Sequence, residues 1–164
     1  MLQRAFLYTA CIVTAFGVGG CLKSYADPDF RPGEAIVPIR LEAHAPRFPM
    51  AGSPLVRVHV YDVGEACTEA PQREGDYLGV ISLDTGGTVR EVRVIAGHRL
   101  FFSFRLDSQT RGGARKNCDV SGWLFPIKEG EYDVQYRLAD GVRCSVEVYE
   151  ATRRRTSGLS ARCL

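Results

Sequence analysis

Arg99-Leu100-Phe101-Phe102-Ser103-Phe104-Arg105-Leu106-Asp107 decides how this chain folds. Leu100, Phe102, Phe104 and Leu106 recur at every second position, with Phe101, Ser103 and Arg105 between them. Successive side chains of an extended strand point to opposite faces, so this spacing gives one wholly apolar face and one mixed face. The stretch is therefore read as a strand packed on a core.

The same period spreads outward from it. Val56, Val58 and Val60 alternate with Arg57, His59 and Tyr61, and Val92 and Val94 with Glu91 and Arg93. Tyr77 to Leu83 is a further run, with Leu78 and Val80 expected to share its inner face. Downstream, Tyr132, Val134, Tyr136 and Leu138 form one register, and Val142, Cys144, Val146 and Val148 another. Two shorter strands are predicted at Ala35 to Leu41 and at Trp123-Leu124-Phe125, the second ended by Pro126. Pro38 has no N–H to donate, which predicts that the first strand lies at a sheet edge. Asp84-Thr85-Gly86-Gly87, Ala96-Gly97-His98 and Ala139-Asp140-Gly141 supply turns, and His44 to Pro54, with its three prolines, reads as a loop. Seven or eight short strands without a helical period predict an all-β fold, a single β-sandwich.

Phe125-Pro126-Ile127-Lys128-Glu129-Gly130-Glu131-Tyr132-Asp133-Val134-Gln135-Tyr136 narrows this. It resembles the start of strand F in immunoglobulin-like and fibronectin III-like domains, where a Tyr after a Gly turn forms the tyrosine corner. The resemblance implies an immunoglobulin-like sandwich in which the Tyr132 hydroxyl bonds back to nearby backbone. Val134 stands where antibody domains carry a cysteine, so the resemblance concerns architecture and not function.

The N-terminus sets the address. Met1-Leu2-Gln3-Arg4 opens with one positive charge, Ala5 to Gly17 is apolar, and Val18-Gly19-Gly20-Cys21 closes the run. This is the layout of an export signal, and its last four residues resemble the lipobox of bacterial lipoproteins. The resemblance implies removal of residues 1–20 as a signal peptide and a lipidated Cys21. Leu22 in place of an Asp implies the inner leaflet of the outer membrane, facing the periplasm. Two other readings stand beside it, an uncleaved anchor and a buried helix with an incidental cysteine. A spanning helix wants about 20 apolar residues, and Thr9, Thr14, Gly17, Gly19 and Gly20 work against one. The remaining chain divides into a tether at 21–34, the sandwich at 35–150 and a basic tail at 151–164 that carries Arg153, Arg154, Arg155 and Arg162.

Of six cysteines, Cys11 leaves with the signal and Cys21 takes the lipid, which leaves four: Cys67, Cys118, Cys144 and Cys163. An even number of thiols in an oxidising compartment reads as disulfides. No Cys-x-x-Cys knuckle is present, so no metal is expected. Four cysteines allow three pairings; Cys144 lies in phase with the core, which favours Cys118 with Cys144 and Cys67 with Cys163.

A formal net charge of +2 gives no reason to expect nucleic acid as a partner. No Gly-x-Ser-x-Gly elbow offers a serine nucleophile. His44, His59 and His98 fall on separate predicted elements and read as surface residues. No catalytic residue and no cofactor is assigned. Ser108 to Ser121 reads as a long polar loop whose Arg111, Arg115 and Lys116 form a candidate binding site. Tyr61, Phe101 and Tyr149 fall on outward faces as a candidate partner patch. The expectation is a non-catalytic, membrane-anchored module that binds an envelope protein or glycan. Its alternative is an inhibitor of a lysozyme or protease, with the cationic loop plugging the active site.

Overall fold

The computed structural model describes residues 22–45, 54–65, 67–68, 71–109, 115–116, 118–139, 143–153 and 155–163; at 73, 74, 107–109, 115 and 116 it describes the backbone only. Cys21, with the whole of residues 1–20, lies outside these, as do Arg111 and Arg154. No helix among the described residues is long and apolar enough to cross a membrane.

Among the described residues the fold is all-β apart from one turn of helix. In chain order the elements are β1 (Ile36–His44), β2 (Leu55–Asp62), α1 (Pro71–Glu74), β3 (Asp76–Asp84), β4 (Arg90–Ile95), β5 (Leu100–Gln109), β6 (Arg115–Lys116), β7 (Asp119–Leu124), β8 (Tyr132–Ala139), β9 (Arg143–Glu150) and β10 (Arg155–Gly158). They form two sheets. In the first, the order is β3-β2-β5-β6, with β7 also paired to β5; in the second it is β10-β9-β8-β1-β4.

The predicted alternation becomes the core. Leu100, Phe102, Phe104 and Leu106 of β5 are fully buried, as are Val56, Val58 and Val60 of β2. Across the gap they meet Val37, Ile39 and Leu41 of β1, Val92 and Val94 of β4, and Tyr132, Val134 and Tyr136 of β8. Phe104 stacks on Tyr136 with centroids 6.0 Å apart, which joins the two sheets at the centre. Tyr132 sits at the start of β8, and its hydroxyl accepts a 3.0 Å hydrogen bond from the Ile127 N–H. Gly130 lies so close to the ring that a Cβ there would stand 2.6 Å from it. Burial raises the pKa of Tyr132, and the Ile127 N–H opposes that shift.

Three sequence expectations need correction. The first concerns β1, which is not an edge strand but lies between β4 and β8. Pro38 is tolerated because β8 pairing begins only at Ile39↔Tyr132. On its β4 side Pro38 faces Arg93, whose N–H and C=O bond to Asp27 and Tyr25 and so point away from β1. Pro38 thus stands where neither neighbour asks for its missing donor.

The second concerns β3, where Leu78 and Val80 do not share the inner face. Pairing with β2 passes from Val60↔Gly79 to Tyr61↔Tyr77, leaving Leu78 as an extra residue. Gly79 takes up this bulge at φ 135°. The phase resets there, so Ile81 and Leu83 turn inward in place of Val80.

The third is that the segment expected as a tether does not hang free. Residues 23–26 run along the outer edge of β3: Tyr25 N donates to Val80 O at 3.0 Å and Val80 N to Lys23 O at 2.9 Å. The tether expected at 21–34 is therefore docked from its third residue. At the opposite side β10 extends the second sheet beyond β9. Just past it, Ser160 exchanges two hydrogen bonds with Trp123 of β7, at 2.8 and 3.0 Å. The tail thus passes from the edge of one sheet to the edge of the other. Gly122 makes room for it, since a Cβ there would lie 2.6 Å from Leu159 Cβ.

Candidate functional site

Two disulfides fasten the domain, Cys118–Cys144 and Cys67–Cys163, in the pairing favoured from the sequence. Cys118 precedes β7 in the first sheet and Cys144 lies in β9 of the second, so this bond crosses the sandwich. Beside it the Tyr136 hydroxyl donates to the Cys118 carbonyl at 3.2 Å. Burial of that hydroxyl pushes its pKa up to about 12, with Asp119 adding to the shift. The second disulfide ties the stretch after β2 to the C-terminal tail.

The polar loop expected at Ser108 to Ser121 is largely a hairpin. β5 runs on to Gln109, and Ser108 and Gln109 pair with Lys116 and Arg115. Among the described residues β2 offers no pairing beyond Leu55↔Asp107, so there this part of the hairpin extends past its neighbour. The backbones of Arg115 and Lys116 are those of β6. Its base is held by the Leu106 N–H to Cys118 C=O bond and by the disulfide. The candidate binding segment therefore stands on a rigid base.

The three histidines occupy separate settings. His44 Nε2 lies 3.1 Å from Glu42 on the second sheet, and His59 Nδ1 lies 3.0 Å from the Tyr77 hydroxyl on the first. His98 Nδ1 contacts both carboxylate oxygens of Asp62 at 2.9 Å. The same carboxylate accepts the Gly64 N–H at 2.8 Å, so the pair locks the turns at the end of β2 and β4. Among the described residues no group of three or more His, Cys, Asp or Glu could hold a metal ion.

The two outer faces of the sandwich differ in kind. On the second sheet, charges on neighbouring strands answer one another: Arg40 with Asp133 at 3.3 Å and Arg137 with Glu147 at 3.3 Å. Gln135 bridges between them, receiving Arg137 Nη2 at 2.7 Å and donating to Glu42 at 3.4 Å. Exposed pairs of this kind contribute little stability and read as a hydrated surface.

The outer face of the first sheet is aromatic at one end. Tyr77, Tyr61, Phe101 and Trp123 cross β3, β2, β5 and β7 in a row, with consecutive centroids 5.0, 6.3 and 5.2 Å apart. His59 extends the row, 5.9 Å from Tyr77. Phe101 and Trp123 are 8% and 6% exposed and anchor the row, whereas Tyr61, Tyr77 and His59 are half-buried and reach solvent. Burial and the neighbouring Tyr61 raise the pKa of Tyr77. Further along the same face Arg57 stands opposite Arg105, and Arg105 meets Asp119 at 3.4 Å. This direction leads to the hairpin. One face thus combines aromatic rings with the cations Arg57 and Arg105.

Of the aromatics expected as a patch, Tyr61 and Phe101 do meet, and Tyr149 lies on the other sheet, in β9. Tyr77 and Trp123, which flank this pair in the row, are not among them. Trp123 alternates with the inward Gly122 and Leu124 positions, a phase visible once Asp119 rather than Trp123 is taken as the start of β7. Tyr77 is aligned with Tyr61 only through the bulge at Leu78 and Gly79. A scan against known protein-family models and a search of curated proteins found no match to this chain.

Proposed function

We propose that the chain is a lipid-anchored envelope protein whose sandwich binds another envelope component, a protein or a glycan, without catalysing a reaction. The observation that carries this reading is the contrast between the two outer faces, one a matched charge ladder and the other an aromatic row leading toward Arg57 and Arg105. Ring faces at Tyr61 and Tyr77 suit the apolar side of a sugar or an extended segment. Arg57 and Arg105, together with Arg111, Arg115 and Lys116 of the candidate binding segment, suit its acidic groups. In this reading residues 1–20 are removed on export, Cys21 carries the lipid, and the domain faces the periplasm from the outer membrane.

The test is site-specific photocrosslinking in intact cells, with the reactive residue at Tyr61 or, as a control on the opposite face, at Gln135. A discrete adduct of higher mass is expected from position 61 and none from position 135. Equal labelling from both, or no adduct from position 61, overturns the assignment of this face.

The extension of the hairpin beyond β2 favours a second reading, inhibition of a lysozyme or protease by insertion of residues 108–116 into its active site. Loss of hydrolase activity at micromolar protein, abolished by replacing Arg111, Arg115 and Lys116 with Ser, would select it.

A further inference from the structure

The segment after Cys21 is built into the fold. Lys23 O and Tyr25 N bracket Val80 of β3, Ala26 N donates to Leu78 O at 3.3 Å, and Lys23 Nζ reaches Tyr77 O at 3.0 Å. The segment then crosses to the edge of the other sheet. There the Tyr25 hydroxyl donates to Arg93 O at 2.9 Å, while the Asp27 carboxylate accepts Arg93 N at 3.2 Å, Nε at 2.8 Å and Nη2 at 2.6 Å. Both backbone groups of Arg93, which β4 would otherwise leave open at its edge, are satisfied by side chains of this segment. Burial and the neighbouring Asp27 raise the pKa of Tyr25, which keeps its hydroxyl protonated as a donor. Gly79 is fitted to the contact: a Cβ there would stand 2.5 Å from Ser24 O.

A flexible linker over residues 21–34 would let a domain wander by roughly 20 Å at about 5–6 Å times the square root of its length. Here the free length ends at Lys23. Two residues span at most about 7 Å.

We propose, resting on the reading of Cys21 as the lipidated residue, that the β3–β4 side of the sandwich is a membrane-facing surface held against phospholipid head groups in one orientation. Leu22, 53% exposed, stands between anchor and domain and adds an apolar side chain at the interface. The opposite side, formed by β7, β9 and β10, faces away from the bilayer. Arg153, Arg155 and Arg162 therefore point to the compartment and not to head groups.

The full-length lipidated protein, reconstituted in vesicles of phosphatidylethanolamine and phosphatidylglycerol, tests this. A nitroxide is placed through a genetically encoded keto side chain at Ser82, Glu91 or Thr156, which spares the disulfide cysteines, and a fraction of the lipid carries a nickel chelate on its head group. Labels at 82 and 91 are expected to relax several-fold faster than the label at 156. Inserting ten Gly and Ser residues between Cys21 and Leu22 is expected to abolish that difference while the protein still floats with the vesicles. Flotation with equal relaxation at all three sites in the native sequence overturns the fixed orientation. If the native protein does not float, or if Cys21→Ser floats as well as it does, the anchor reading fails and the proposal with it.

Discussion

Removing the two disulfides one at a time separates an account based on the unfolded chain from one based on folded contacts. Cys118–Cys144 closes a sequence separation of 26 and Cys67–Cys163 one of 96. If a crosslink acts by restricting the unfolded chain, the loop-closure relation gives about 3.5 kcal/mol for the shorter loop and about 4.7 kcal/mol for the longer at room temperature. Folded contacts argue for the reverse order, because Cys118 and Cys144 pack against the core. Cys67 and Cys163 instead join two peripheral segments. The expected result is that Cys67→Ala with Cys163→Ala is the more destabilising pair, by roughly 1 kcal/mol. Urea titration followed by Trp123, the single tryptophan, and in parallel by far-ultraviolet circular dichroism measures both. The denaturant slope should rise in each variant, since the uncrosslinked chain exposes more surface. A larger loss from the Cys118 and Cys144 pair, with unchanged slopes, would refute the unfolded-chain account and assign the stabilisation to core packing.

Two further outcomes follow from the packing. Gly122→Ala puts a methyl group against Leu159 and Ser160, which should cost about 1–3 kcal/mol as overpacking does and speed hydrogen exchange at the Trp123 amide; an unchanged exchange rate would show that the tail does not rely on that gap. Burial raises the Tyr136 pKa to about 12 from the usual value near 10, so the folded state favours the protonated form. Its contribution is complete below about pH 10 and is lost as pH climbs from 10 toward 12. Urea midpoints should fall across that window, and Tyr136→Phe should flatten the decline although it removes the bond to Cys118; an equally steep decline would assign the alkaline loss to other groups.

The central strands were legible because local pattern and tertiary role agree there. Every inward residue of β5 and β2 named from alternation is buried, since each strand has a neighbour on both sides and a core beneath it. Legibility ended where a partner far along the chain decides the outcome. Asp27 and Tyr25 are 66 and 68 positions from Arg93, and nothing in the residues 22–34 signals that contact. Pro38 misleads because a proline marks an edge only when a whole strand is unpaired, and here the neighbours ask for no donor at this one residue. The bulge at Gly79 hides in the same way, since a glycine in a strand pattern does not reveal a positive φ. The candidate surface was half visible. Tyr61, Phe101 and the hairpin cations stand out in sequence, whereas the row they belong to exists only through the register of four strands.

The crossing of the terminal segments from one sheet to the other also sets an order of events as the chain emerges. Edge strands β3 and β4 can be covered as soon as β4 has formed, because the segment that covers them precedes both. The far side must wait. Cys67 emerges 96 residues ahead of the thiol it pairs with, and through that interval the Cys67 thiol stands open to oxidants and to other chains. Overexpression should accumulate species with Cys67 unpaired or crosslinked to another chain sooner than species lacking the Cys118–Cys144 bond, whose two thiols follow one another closely; mass spectrometry of the alkylated protein distinguishes them.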